Sequence, residues 1–220
     1  MYRYLFSAFA TAMPFNWARV LLLRLLLGYR IEFSCKIGFL NLIVASECVL
    51  EESAIGSLNV LVSRSIKMRR SRVGNMNRFK FLDALEMRAN SWIKNRNSVV
   101  GTLDPTDCGT RKNQFTIGED SLITHSHYLD LTAGVSIGDN VVIGGQSSQV
   151  WSHGFDYTRK LIARPVAIGS NIYVGSNAII IQGVSICDCV TIGAGTVVSR
   201  PIVEPGFYVS SHLHLKKQNA

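Results

Sequence analysis

A chain of 220 residues with 47% hydrophobic and only 17% charged residues can build one well-buried domain and a modest extension, and it leaves no room for two large domains. No long polar low-complexity tract is present, which excludes a disordered chain. The formal net charge of +8 is local, because residues 64–112 hold twelve Lys/Arg against four Asp/Glu while the remainder balances at eleven against eleven. That segment suits either a solvated face or an anionic ligand. It carries no nucleic-acid-binding motif, so no nucleic acid partner is expected.

In chain order, residues 1–30 read as a helical segment. Their apolar stretch is broken by Pro14, Arg19 and Arg24 before it reaches membrane-spanning length. The apolar core before SAFATA is too short for a cleaved signal, so the segment is expected to be retained. Asn16 is placed to cap a helix through Val20, Leu22, Leu23, Leu26 and Leu27 that stops at Gly28. Such a helix either plugs the open end of a repeat array or makes a peripheral membrane contact, with arginines at the headgroups.

From residue 31 a period of six appears. Aliphatic residues recur at Ile31, Ile37, Ile43, Val49, Ile55 and Leu61. The pattern weakens over residues 66–116, where Val73, Phe79 and Leu85 stay in phase but Lys67 and Ser91 do not, which predicts degraded coils and an inserted loop near TLDPTDCGTRKNQ. It returns at Ile117, Ile123, Leu129 and Val135, and shifts by two residues to Ile137 and Ile143.

From Ile168 the hexads IGSNIY, VGSNAI, IIQGVS, ICDCVT and IGAGTV run without a gap to Val198. Their fifth residues, Ile172, Ala178, Val184, Val190 and Thr196, supply a second inward position two residues before each aliphatic one. A helix would scatter residues six apart over separate faces, since each turns the chain by about 100°. Short strands joined by repeated corners bring them back to one column. The expected fold is therefore an all-β solenoid over residues 31–205, with a tail at 206–220.

Five cysteines (Cys35, Cys48, Cys108, Cys187, Cys189) form an odd set without CxxC spacing, so neither a disulfide framework nor a thiolate zinc site is expected. Cys187 and Cys189 read as buried small residues. A reducing, cytoplasmic location follows, at the inner face of a membrane if the N-terminal helix docks there.

The hexad run resembles the hexapeptide-repeat acyltransferases. IGDNVVIGGQSSQVWSHGFD, followed by PVAIGSNIYVGSNAIIIQGVSICDCVTIGAGTVVS, is similar to their sugar O-acetyltransferase branch. The resemblance implies a left-handed parallel β-helix with three hexads per coil, a homotrimer, and acetyl-CoA bound between subunits as acyl donor, with no metal.

It further implies that His153, in WSHGFD, is the catalytic base that takes a proton from a saccharide hydroxyl. Asp156 or Asp130 would orient it, Asp156 being the first choice. His125 and His127, in ITHSHYLD, cover the region where relatives contact substrate or oxyanion, and Trp151 flanks the base on the substrate side. Tyr173, in place of a common tryptophan, with Gly175, Ser176, Gly193 and Ala194 would line the pantetheine arm, and Lys216 and Lys217 would meet the nucleotide phosphates. The expected acceptor is a saccharide of a surface polymer, free or lipid-linked. Two other readings stay open: a γ-carbonic-anhydrase-like zinc site from His125, His127 and His153, and a non-catalytic solenoid scaffold.

Overall fold

The computed structural model describes residues 2–103 and 112–210. Two helices, α1 (Tyr2–Thr11) and α2 (Asn16–Leu27), precede a succession of short strands, almost all of which pair in parallel with strands one turn away. Lys36 pairs with Ala54, and Ala54 with Arg72, each eighteen residues on. Each turn crosses three parallel faces, with Val60–Met68 and Arg78–Met87 each running across two of them as one strand. This is the left-handed parallel β-helix class that the hexads imply, with a helical N-terminus.

The alternation of inward and outward side chains explains why the repeat is six. On the first face Ile37, Ile55, Val73, Ile93, Ile123, Ile143, Val174 and Ile192 lie in paired register and form one buried column. Strand neighbours sit about 4.8 Å apart, so each aliphatic group contacts the one above and below. On the second face Ile43, Leu61, Phe79, Val99, Leu129, Val150, Ile180 and Val198 repeat the arrangement. The fifth-position residues Ile172, Ala178, Val184, Val190 and Thr196 are buried as well.

Where the sequence pattern weakens, the strands persist. Val60–Met68 and Arg78–Met87 pair along most of their length, with a register slip between Leu61 and Ser63. The slip lies opposite Phe81, whose left-handed backbone (φ 62°) absorbs an extra residue. Lys67 is out of phase because Ile66 and Met68, five and seven residues after Leu61, face inward around it. The expectation of degraded coils is corrected for the described part of this region. The expected insertion falls in the turn where Trp92 pairs with Leu122, thirty residues on, and residues 104–111 of it lie outside the described residues. Because successive turns carry the basic segment around the solenoid, Arg72, Lys80 and Lys67 emerge from three different faces.

At one corner the polar interior is ordered as a ladder. Asn59 receives support from Asn41, Asn77 from Asn59, and Asn97 from Asn77: each upper backbone N–H donates to the lower Oδ1 at 2.8–2.9 Å. Each rung follows a residue in the left-handed region, Leu40, Leu58, Met76 and Arg96, which turns the chain inward and leaves the amide side chain inside the bend.

The N-terminal helices close the open end of the first turn. Ser7 Oγ accepts from the Ile43 amide at 2.7 Å, and Thr11 Oγ1 donates to the Asn41 carbonyl. Asn16, expected as a helix cap, instead spans the gap to the first turn: its Oδ1 accepts from Ile37 N–H at 2.8 Å and its amide donates to the Cys35 carbonyl at 3.0 Å. The residue before α2 is Phe15, which has no capping side chain. Gly28 ends the helix at φ 72° as expected. An edge that would otherwise leave its backbone groups unpaired is thus satisfied by side chains. No described helix is long and apolar enough to cross a membrane.

Candidate active site

The solenoid is interrupted again after Val150. Val141 pairs with Ile172, thirty-one residues on, and the extra length forms an antiparallel hairpin of His153–Phe155 with Leu161–Ala163. His153 therefore projects from the root of the hairpin, next to the regular coil that carries Asp130.

Asp130 is 3% exposed and its carboxylate is fully occupied. Oδ2 accepts from Ser152 N–H at 2.8 Å and Ser152 Oγ at 3.0 Å, and lies 2.8 Å from His153 Nδ1. Oδ1 accepts from Thr132 Oγ1 at 2.8 Å and, more weakly, from Thr132 N–H at 3.3 Å. An ionised carboxylate only accepts, so the proton between Asp130 and His153 belongs to Nδ1. Thr132 Oγ1, 3.2 Å from the same Nδ1, has given its hydrogen to Asp130 and can only accept there. The tautomer is fixed: Nε2 carries the lone pair and has no partner among the described residues.

Aromatic side chains pack near the His153 ring. Tyr128 and Trp151 meet at 4.9 Å between ring centroids, and Trp151 and Phe155 each stand edge-on to the His153 ring, at 6.1 Å and 5.8 Å. Trp151 is fixed by its Nε1 donating to Gln149 Oε1 at 2.9 Å, whereas Phe155 is largely exposed. A one-quarter-exposed imidazole beside aromatic rings suits a ligand with both hydroxyls and apolar C–H faces.

The other expected catalytic residues lie elsewhere. His127 is 2% exposed and occupies the rung above Asn97 in the corner ladder. Its N–H donates to Asn97 Oδ1 at 2.9 Å, its Nδ1 accepts from Ser148 N–H at 3.0 Å, and its Nε2 lies 2.9 Å from Thr124 Oγ1. Burial, and to a lesser degree His125, pull its pKa down to about 4, so the neutral ring replaces an asparagine in both shape and bonding. His125 borders a separate cleft with Asn95, Arg96, Gly145 and Gln146.

Asp156 does not reach His153. Its carboxylate closes the hairpin tip, accepting from Thr158 N–H, Thr158 Oγ1 and Lys160 N–H, and these bonds hold its pKa below the usual carboxylate value. Sequence proximity favoured Asp156, but Asp130 is brought to His153 by the stacking of Leu129 on Val150. Thr132 and Ser152, which complete the network, were not anticipated. A hydroxyl residue directly before the histidine and another two positions after the aspartate were the available signals.

Among the described residues no cluster of three His, Cys, Asp or Glu is arranged to hold a metal ion, and the three histidines of the zinc reading do not converge. Cys187 and Cys189 are also corrected: one is half-buried and the other exposed, at a corner where Cys189 is left-handed.

Of the residues assigned to an acyl donor, Tyr173 is half-exposed on the first face and lies over Gly144, where a Cβ would come 2.8 Å from its hydroxyl. Gly175 is required by the stacking itself, because a Cβ there would meet the Ala194 nitrogen at 2.6 Å. Ser176 and Ala194 are partly open to solvent, and Gly193 packs under Val209. Lys216 and Lys217 lie outside the described residues.

Comparison with known proteins matches the hexapeptide repeat of succinyl-transferase at residues 129–150 and 165–200. The gap between these segments contains the hairpin with His153. The galactoside O-acetyltransferase of Escherichia coli (strain K12) is 34% identical over 73 residues, 31% of this chain and 36% of that protein. The bifunctional protein GlmU of Gloeothece citriformis (strain PCC 7424) is 28% identical over 95 residues, 43% of this chain and 19% of that one. The chain thus spans about a third or less of the length of these curated relatives. Among solved structures, the polySia-specific acetyltransferase NeuO is 22% identical with a TM-score of 0.44, covering 79% of each chain. A maltose O-acetyltransferase from Clostridium difficile 630 is 21% identical with a TM-score of 0.42, covering 68% of this chain and 64% of that one. Its columns of inward aliphatic residues carry the hexapeptide repeats that the two matched segments share with that family model.

Proposed function

We propose that this chain is an acyltransferase that moves an acetyl group from acetyl-CoA to a saccharide hydroxyl, with His153 as general base and Asp130 as its positioning partner. The observation that carries the reading is the 2.8 Å contact of His153 Nδ1 with the buried Asp130 carboxylate, which leaves Nε2 as the basic atom. The similarity to a galactoside O-acetyltransferase supports a saccharide acceptor, as do the Tyr128, Trp151 and Phe155 rings beside the base.

In this mechanism Nε2 takes the hydroxyl proton as the oxygen attacks the thioester carbonyl carbon. A C–O bond forms, the tetrahedral oxyanion collapses with cleavage of the C–S bond, and the leaving thiolate recovers the proton from the imidazolium. Asp130 stabilises that imidazolium and prevents the ring from turning.

Acetyl-CoA is assigned to the exposed surface of Tyr173, Ser176 and Ala194. These residues follow the first face, whereas His153 follows the second, so the complete site is assigned to the junction of two subunits of a homotrimer. The acceptor is a surface-polysaccharide unit.

The test combines melting of the full chain with and without acetyl-CoA and a thiol-release assay with oligosaccharide acceptors. A ligand that binds the native state raises the melting temperature. A shift in both wild type and His153→Ala, with acetyl transfer lost only in the variant, is the expected result. Absence of any shift at saturating acetyl-CoA overturns the proposal.

A further inference from the structure

The first helix is inverted relative to the usual amphipathic arrangement. In α1 the polar residues Ser7 and Thr11 are fully buried, bonded to the first turn of the solenoid, and Ala10 packs beside them. The opposite stripe, Tyr2, Leu5, Phe6 and Phe9, follows the i, i+3, i+4, i+7 spacing of one helix face. These four side chains are 60%, 66%, 40% and 55% exposed. A helix needed only to cap an edge would direct polar groups at water. Here the polar groups are used on the solenoid and an aromatic stripe is left outside.

The second helix extends the pattern. Trp17 is 60% and Leu25 70% exposed, and Phe15 stacks on Trp17 at 6.3 Å. Charge then selects the partner. Residues 1–31 contain Arg3, Arg19, Arg24 and Arg30 and no Asp or Glu. Arg24 and Arg30 are exposed, and the Arg24 guanidinium lies 5.0 Å over the Phe33 ring, a placement that keeps a cation beside apolar surface. Aromatic and aliphatic groups interleaved with arginines match an anionic lipid headgroup layer above acyl chains.

We infer that α1 and the exposed side of α2 dock this end of the solenoid flat on an anionic lipid bilayer. A ten-residue helix rises only about 15 Å, half of a hydrocarbon core of about 30 Å, so the stripe sinks to the headgroup boundary while Ser7, Thr11 and Asn16 keep their bonds to the coil. The inference stands on the exposed stripe and its charge, and does not depend on the acyltransferase reading.

Flotation of the full chain with phosphatidylcholine vesicles, with and without 30% phosphatidylglycerol, tests it. Wild type is expected to float with the anionic vesicles, less so at high salt. Leu5→Gln/Phe9→Gln, exposed positions that leave the melting temperature unchanged, should bind at least tenfold more weakly. Arg30→Gln should cost about fivefold, the share of one arginine at such a surface. Equal flotation of wild type and the double variant, or no flotation of wild type, overturns the inference. So does a concentration-dependent rise in mass that the double variant abolishes without any vesicle binding, which would assign the stripe to a second copy of this chain. Acetyl transfer to a soluble oligosaccharide should be the same in wild type and Leu5→Gln/Phe9→Gln, so failure here and failure of the catalytic proposal are read separately.

Discussion

Replacing Asp130 by asparagine separates the orienting role of this residue from its charge. The amide oxygen should take the Oδ2 position, because three donors converge there and two of them, Ser152 N–H and His153 Nδ1–H, lack a rotor that could turn away. The amide nitrogen then faces Thr132, whose hydroxyl can rotate to accept, leaving one conflict with Thr132 N–H, the longest contact at 3.3 Å. The tautomer of His153 survives, and the negative charge beside the imidazolium does not. Two unit charges about 4 Å apart interact by about 4 kcal/mol at an effective dielectric of 20. That sets an upper limit near a thousandfold, and a kcat loss of about 10²–10³ with little change in KM is expected. The weakened hydrogen bonds to a buried charged group should cost about 1–3 kcal/mol, or several degrees of melting temperature for a chain of this size. Steady-state acetyl transfer and thermal melting measure both. Turnover within threefold of wild type in a folded Asp130→Asn protein would refute the dyad.

The ladder predicts that His127→Asn keeps activity within a few-fold, since Asn97 already fills the equivalent rung, whereas His127→Ala leaves Ser148 N–H unpaired and lowers the melting temperature. Because burial depresses the His127 pKa from 6.5 to about 4, the unfolded chain takes up a proton first as pH falls. Its contribution to stability is therefore present above about pH 6.5 and lost progressively towards pH 4. Melting curves across this range should show a smaller acid loss in His127→Asn. Asn59→Ala removes bonds to Asn41, Gly74 and Asn77 and should destabilise the fold by about 2–4 kcal/mol in denaturant titration, since it orphans buried groups. Asp156→Ala should leave kcat/KM within twofold, because its bonds stay within the hairpin tip.

The periodic part of the fold was legible because inward aliphatic residues have no substitute in a narrow solenoid: Ile168, Val174, Ile180, Ile186, Ile192 and Val198 all point inward as their spacing requires. The phase was lost over residues 66–116 for a local reason. Leu61 and Ile66 both face inward five residues apart, whereas their partners Phe79 and Leu85 keep six across Phe81, so the parallel pairing resumes from Ser65 onwards while a fixed period lands on Lys67. The site was legible in part. His153 stands in a motif, but its carboxylate partner is chosen by which strand stacks on which, and no reading of neighbours along the chain ranks Asp130, twenty-three residues away, above Asp156. For His127 the sequence shows a histidine two residues from another, but not that Ser148 N–H and Thr124 Oγ1 occupy both of its ring nitrogens.

That contrast follows from where a repeat can carry chemistry. Within uninterrupted turns inward polar groups are matched by their own and the adjoining turns, so the buried His127 bonds much as an asparagine would. The hairpin after Val150 is one of the places where the chain leaves the stack, and the leaving point is held by Ser152, whose N–H and hydroxyl both donate to Asp130 and whose Oγ also accepts from Ala133 N–H. His153 is the first residue beyond that anchor. It is far enough out to be one-quarter exposed and near enough to be aligned by a buried charge. The solenoid thus supplies rigidity through Asp130 and Thr132, and the interruption supplies access. Loosening the anchor should therefore reach His153: Ser152→Ala removes one bond to the carboxylate and is expected to lower turnover by about tenfold, close to the value of one hydrogen bond to a charged group, and, because it also takes the acceptor from the buried Ala133 N–H, to lower the melting temperature while the hairpin remains paired from His153 to Ala163.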